Sequence, residues 1–305
     1  MTKIPDEFDI CFIDCDLIKY RASFAAEKTE WLLYDNDEEL VRAFYSAKEA
    51  DDYVDNLWMM LDIDTSGYHR EEKVTIKKKV HAIAACDHII ELIKRKCPAK
   101  EYRLYLTGND TYRPHIATLH KYKGNRDGMR KPTYLQDVTD HIIEFHDATV
   151  VDYIEADDTL TVGLTWCRKK GLLGVVANLD KDIKQVEGWH YDWGKDKYEY
   201  VTAREGILHT YCQAIAGDAV DNYKGIPGIG MKKAMKLIQD CETEREMYET
   251  AVEAYREYFG EEYHYKSWDG KDMVKTPQEL FLENMNLAFM QRKKGEFYQI
   301  PHKEK

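Results

Sequence analysis

At 305 residues, 44% of them hydrophobic, the chain is long enough for about two domains and has ample material for a sizeable core. No run approaches the roughly 18 apolar residues of a membrane span, and the start, Met1 to Asp9, is acidic where an export signal is basic, so a cytoplasmic protein with no membrane partner is expected. The formal net charge of -12 argues against a generic nucleic-acid coat while leaving room for local basic patches, and seven cysteines with no C-x-x-C pair fit reduced thiols.

In chain order, Phe8 to Ile13 is a short apolar run that predicts a buried strand, with Asp14 directly after it. Apolar residues at Ile76, Val80, Ile83, Cys86, Ile90 and Ile93 step by threes and fours, which predicts an amphipathic helix. A second strand is predicted at 102 to 106. A basic segment then runs from Arg113 to Lys131, where Arg113, Lys121, Lys123, Arg126, Arg130 and Lys131 stand against Asp127 alone, with Tyr112, His115, His120 and Tyr122 interleaved. Cations that neutralise phosphates, mixed with rings on which bases stack, suit nucleic acid, although a solvated helical face has the same composition.

A helix is predicted at 134 to 145, a strand at 148 to 151, and a helix at 157 to 169 opened by Glu155-Ala156-Asp157-Asp158. The strand at 173 to 177 is followed by Asp180 and Asp182. A helix at 203 to 216 leads into Asp218, Asp221 and the turn Gly225-Ile-Pro-Gly228-Ile-Gly230, and a further helix spans 231 to 239. Glycines let a backbone approach a phosphate closely, and the next helix leaves Lys232, Lys233 and Lys236 exposed. Ser267 to Glu279 reads as a loop before a last helix at about 278 to 293.

Strands alternating with helices predict an α/β fold with a mostly parallel, doubly wound central sheet flanked by helices. Ligands of such sheets bind outside the carboxyl ends of the strands, where the acidic groups fall. Each group alone fits a helix cap or a turn. Together they pose a charge problem, because two carboxylates about 4 Å apart repel by roughly 4 kcal/mol at an effective dielectric near 20. Oxygen-only ligands favour Mg²⁺ or Mn²⁺.

The set FID at 12 to 14, YKGNR at 122 to 126, EADD at 155 to 158, DKD at 180 to 182 and GDAVDNYKGIPGIG at 217 to 230 resembles the FEN-type structure-specific 5′ nuclease family, and most of all its bacteriophage 5′→3′ exonuclease branch. The motifs keep the family's order over about 10 to 240, and 282 to 290 resembles its C-terminal helix. The resemblance implies a PIN/FEN-like nuclease core over 1–205, including a helical arch at about 109–135. It also implies a helical DNA-binding region over 206–305, with a helix-three-turn-helix at about 211–240.

It further implies two divalent ions, one on Asp14, Glu155, Asp157 and Asp158, the other on Asp180, Asp182 and Asp218 with Asp221 nearby. Lys123 and Arg126 match basic residues at the arch base that contact the scissile phosphate. Tyr20 stands where the family places a ring against the terminal base, and Arg21 follows near phosphates. Arg113 joins the DNA-binding set, as do Gly225, Gly228, Gly230, Lys232 and Lys233 of the helix-three-turn-helix, which in the family often grips the duplex backbone through a K⁺ ion.

Two positions depart from the family pattern. Cys15 and Asp16 follow the first aspartate, where a small residue is usual, and Gly108 stands where phage members carry Asp, leaving Asp110 as the substitute ligand. The implied activity is two-metal hydrolysis of DNA phosphodiesters, as a 5′→3′ exonuclease or 5′ flap endonuclease leaving 5′-phosphates. Expected partners are duplex DNA with 5′ ends, nicks or flaps and RNA in an RNA-DNA hybrid, met by a monomer in phage replication or recombination in the host cytoplasm. A PIN-type ribonuclease and a non-catalytic DNA-binding protein are the alternatives.

Overall fold

The computed structural model describes residues 3–302 and divides into two compact units. In the first, drawn from the chain up to Leu17, Glu91–Arg130 and from Ile143 onward, β1 (Phe8–Asp14) lies centrally in a six-stranded sheet. β5 (Ala99–Thr111) and β6 (Thr149–Tyr153) extend it to one side, and β7 (Gly174–Asn178), β8 (Gly188–Asp192) and β9 (Lys197–Val201) to the other. Every pairing is parallel except β8 with β9. Because the chain turns from β1 to β5 and β6 before returning to β7, the carboxyl ends of β1 and β7 form a switch point, where open α/β sheets place their sites.

The buried run of β1 explains its position. Ile10 and Phe12 meet Val176 of β7 and Leu160, Leu164 and Cys167 of α6 (Ala156–Lys170) in one apolar cluster. A capping box at Glu155 and Asp158 starts α6, and Gly171, at φ 71°, ends it. The predicted strands are all present. β8 and β9 were not predicted, although their alternation of aromatic and polar residues is a strand signal; Tyr191 and Tyr198 stack across the pair at 4.6 Å.

A second cluster in this unit gathers α7 (Ala203–Ala216), α8 (Met231–Ile238), α9 (Glu244–Phe259) and α10 (Pro277–Ala288) around Tyr211, Ile215, Tyr255 and Phe281. Thr202, Thr243 and Thr276 open α7, α9 and α10 with capping boxes. α10 stops at Ala288, short of the predicted 293, and the predicted loop at 267–279 contains β13 (Asp272–Lys275), paired with β12 (Tyr263–Lys266). Gly217–Asp218 and Tyr223–Lys224 form a short hairpin, β10 and β11. Of residues 109–135, expected to carry the helical arch, α4 (Arg113–Ile116), a 3-10 turn at Gly124–Arg126 and the first residue of a helix that begins at Leu135 are helical.

The second unit comprises Ile18–Ile90 and Lys131–Ile142. Its β2 (Glu27–Tyr34) lies between β3 (Leu40–Phe44) and β4 (His69–Ile76) in an antiparallel sheet. Leu33 and Phe44 pack against Ala50, Tyr53 and Val54 of α2 (Ala47–Leu61). Ile76 belongs to β4, so the predicted helix begins later, as α3 (Lys79–Lys96). α1 (Asp16–Ala25) carries Tyr20, with 37% of its surface exposed, and the exposed Arg21; α5 (Leu135–His146) matches its prediction.

Candidate metal centre

Asp14 ends β1, and its Oδ1 accepts the Asp16 backbone N–H at 2.8 Å. The Asp16 carboxylate accepts the Thr107 N–H at 3.2 Å, and Thr107 Oγ1 accepts the Ala156 N–H at 2.8 Å, tying β5 to the start of α6. Asp157, in the first turn of α6, accepts from Asn178 Nδ2 at 3.2 Å. Asn178, the last residue of β7, also accepts the Asp180 N–H, and Asp180 accepts the Asp182 N–H. Asn178 was not singled out from the sequence; its position between a buried strand and an acidic turn was the available signal.

Burial first, then the charges of Asp14, Asp180, Glu155 and Asp16, push the Asp157 carboxyl well above its ordinary pKa. Burial and the nearby Asp221 and Asp218 likewise raise Asp180, while burial and Asp182 raise Asp218. Lys181, 3.7 Å from Asp182 Oδ1 and 4.0 Å from Asp218 Oδ2, offsets only part of this charge. Asp182 Oδ1 is buried without a hydrogen-bond partner, and so is His209 Nε2, 3.9 Å away. Unsatisfied carboxylate oxygen beside further carboxylates fits a hard divalent cation.

Basic residues meet the other side of the cluster. Lys123 Nζ lies 2.6 Å from Glu155 Oε1 and 3.9 Å from Asp221 Oδ2, while Arg126 donates to Asp221 Oδ1 at 2.7 Å. Tyr122, read from the sequence as a stacking ring, is buried, and its hydroxyl donates to Asp221 at 2.7 Å and to Glu155 at 3.2 Å. Burial alone would raise Glu155, but the Arg113 and Lys123 charges overcome it and hold the carboxyl below its usual range.

Three of the expected site residues lie in surroundings of a different kind. Arg113, expected on the DNA-binding surface, is 1% exposed; its guanidinium bridges both oxygens of Asp158 at 2.6 and 2.9 Å and reaches Glu155 at 3.1 Å. Asp158, expected to hold an ion, is fully buried, and the Glu155 and Gln291 backbone N–H groups add to the fork of Arg113 on its oxygens. Asp110 is exposed and pairs with His115 at 3.0 Å. At Gly108, whose place Asp110 was expected to fill, a Cβ would sit 2.9 Å from the Val151 carbonyl oxygen and 2.0 Å from Asp152 Oδ1, so a side chain there would require β6 or Asp152 to shift. Asp16, held by Thr107, supplies the extra negative charge beside Asp157 instead.

The glycine turn combines two functions. Ile226 anchors it in the helical core, its N–H donating to the Ile215 carbonyl at 2.8 Å, and a Cβ on Gly225 would lie 2.0 Å from that same oxygen. Gly228, at φ 79°, and Gly230, which caps α8, face open space. Lys232 and Lys233 are exposed on α8, and Lys233 Nζ donates to the Gly228 carbonyl. Gly225→Ala is therefore expected to cost about 1–3 kcal/mol in a denaturant titration, whereas Gly230→Ala should stay within roughly 1 kcal/mol.

The first unit thus combines a mainly parallel α/β sheet, with carboxylates gathered at its switch point, and a helical region holding a glycine turn. No protein-family model matches the chain. DNA polymerase I of Bacillus subtilis is 25% identical over 218 residues, covering 63% of this chain and 23% of that protein. Flap endonuclease Xni of Shewanella piezotolerans is 27% identical over 134 residues, covering 40% of this chain and 52% of that one. The chain thus spans about a quarter to a half of the length of these relatives.

Among solved structures, the bacteriophage T5 flap endonuclease in a pseudo-enzyme-product complex with DNA and metal ions matches with a TM-score of 0.55 at 14% identity, over 92% of this chain and 88% of that one. A T5 protein co-crystallized with metal ions matches with a TM-score of 0.51 at 15% identity, with the same coverage. The chain is thus similar in fold to these T5 structures and in sequence to parts of the two relatives.

Proposed function

We propose that this protein is a divalent-metal-dependent 5′→3′ exonuclease and 5′ flap endonuclease acting on DNA. One observation carries the reading: half-buried Asp157, crowded by Asp14, Asp16 and Asp180, stands in the first turn of the helix that Glu155, paired with Lys123, caps. Asp14, Asp16, Asp157 and Glu155 would hold one ion, and Asp180, Asp182 and Asp218, with Asp221 adjoining, a second. Bound there, Mg²⁺ or Mn²⁺ would supply Lewis-acid polarisation of the phosphate and acidify water toward neutral pH.

The remaining work falls to the chain itself. Lys123, 30% exposed, and Arg126, 46% exposed, are near enough to solvent to exchange Asp221 and Glu155 for a scissile phosphate. As fixed cations they stabilise charge developing on its oxygens. Tyr122 keeps Glu155 and Asp221 in place when those lysine and arginine contacts are released. The open glycines 228 and 230 and the α8 lysines provide a backbone-binding surface for duplex DNA, and the 225–230 turn would hold a K⁺ ion that supplies further positive charge. The products would carry 5′-phosphates, the substrates would be duplex ends, nicks, flaps and RNA-DNA hybrids, and the enzyme would act as a monomer in phage replication or recombination.

A digestion panel of blunt, nicked, flapped, hybrid and single-stranded RNA substrates tests this. Mg²⁺-dependent release from the 5′ ends of duplex and flapped DNA is expected, and cleavage confined to single-stranded RNA would overturn it. In the same assay Lys123→Met should lower the rate by roughly 10²- to 10³-fold, the usual cost of losing one transition-state charge donor. A loss below fivefold would remove Lys123 from the reaction.

A further inference from the structure

The second unit contains a surface that nuclease chemistry does not use. The first turns of α2 bury Ala50 and pack Tyr53 and Val54 on the β2–β3 pair, as an amphipathic helix should. Its last turn breaks the pattern: Trp58, Met59, Met60 and Leu61 are consecutive, and 63%, 66%, 78% and 64% of their surfaces are exposed. Four adjoining large apolar side chains in water mark a contact surface. Trp and Met are also the residues enriched in the buried centres of protein interfaces.

The charge around this patch selects its occupant. Residues 35–64 contain ten acidic side chains and two basic ones. Asp51 pairs with Arg70, but Asp52, Asp55 and Asp62 are exposed and have no basic partner among the described residues. Such a collar repels DNA and anionic lipid alike and attracts cations. We infer that the C-terminal turn of α2 docks a helical segment of another protein, with an apolar face for Trp58 to Leu61 and lysine or arginine flanking it. This is the helix-on-apolar-surface mode of recognition, with its register fixed by charge.

The test uses the full-length protein and a fluorescently labelled 18-residue Leu/Lys amphipathic peptide, with a Leu/Glu peptide of the same pattern as counterpart. Fluorescence anisotropy should show the Leu/Lys peptide binding at least tenfold tighter than the Leu/Glu peptide. Trp58→Ser with Met60→Ser should weaken Leu/Lys binding at least tenfold, and Asp52→Asn with Asp55→Asn, which leaves the apolar patch intact, several-fold. Both double variants should keep the wild-type far-ultraviolet dichroism and DNA digestion rate. Undiminished peptide affinity in the Trp58→Ser, Met60→Ser variant overturns the inference. So does a loss, in that variant, of concentration-dependent self-association, of oligonucleotide binding or of binding to phosphatidylglycerol vesicles, since the occupant would then be a second copy, DNA or lipid.

Discussion

Asp157→Asn is expected to slow DNA cleavage by a thousandfold or more, about 4 kcal/mol of transition-state stabilisation, while making the ion-free protein more stable. The two effects share one cause. Half-buried Asp157 lies among Asp14, Asp16, Asp180 and Glu155, and its pKa is pushed well up by desolvation and by those charges. Between the ordinary carboxylate pKa and this raised value, the folded state binds more protons than the unfolded one, so stability falls as pH rises through that window. Asp180, Asp218 and Asp221, all raised chiefly by burial, act in the same direction.

An asparagine in this place removes a charge and can still accept from Asn178, so stability should rise by roughly 1 kcal/mol or more at pH 8. Divalent ions should stabilise the wild type at pH 8 more than the variant. Thermal melts at pH 5 and 8, with and without Mg²⁺, check this. A variant less stable than wild type in chelator at pH 8 would show that the cluster is not under electrostatic strain.

Arg113→Met is expected to destabilise the protein by about 3–5 kcal/mol, the usual cost of removing one member of a buried ion pair. Asp158 and Glu155 would be left buried without the guanidinium, and the Leu287 and Phe289 carbonyls would lose its N–H groups at 2.9 and 3.0 Å. Arg113→Lys should recover only part of the loss, because an ammonium cannot present the planar fork that binds both Asp158 oxygens. Urea denaturation measures the difference. A change below 1 kcal/mol for the methionine variant would mean that Asp158 finds another partner.

Arg113 also illustrates the limit of what was legible. The segment from Arg113 to Lys131 has a clear net charge, but charge alone does not say which cation turns inward. The signal lay at a distance, in the spacing of Glu155 and Asp158, which places both carboxylates on one face of α6 and so demands a buried cation. Asp110 misled for the opposite reason. Its type and approximate position fitted a ligand, whereas the close approach of β6 to Gly108 and the register shift between Thr107 and Thr111 are three-dimensional facts.

The central sheet was easier to read, because β1 and β7 contain apolar runs, Ile10 to Ile13 and Gly174 to Ala177, of the kind that a parallel sheet buries on both faces. The β2–β3–β4 sheet gave little signal. His69 to Ile76 contains mostly charged and polar residues that remain exposed, so a strand with neither an apolar run nor strict alternation carries no period to detect. The clustered carboxylates occupied a middle ground. Their motifs were visible as local groupings, but only the β1–β7 switch point explains why Asp14 and Asp180 act on the same Asp157.

The most direct test of the metal-centred reading is release of 5′-labelled nucleotide from duplex DNA as Mg²⁺ is titrated, with wild type and Asp180→Asn side by side. Wild type should release 5′-phosphorylated product in an ion-dependent manner that chelator abolishes, and Asp180→Asn should be slower by a thousandfold or more at saturating Mg²⁺. Equal rates for the two proteins, or wild-type release that survives chelation, would contradict it.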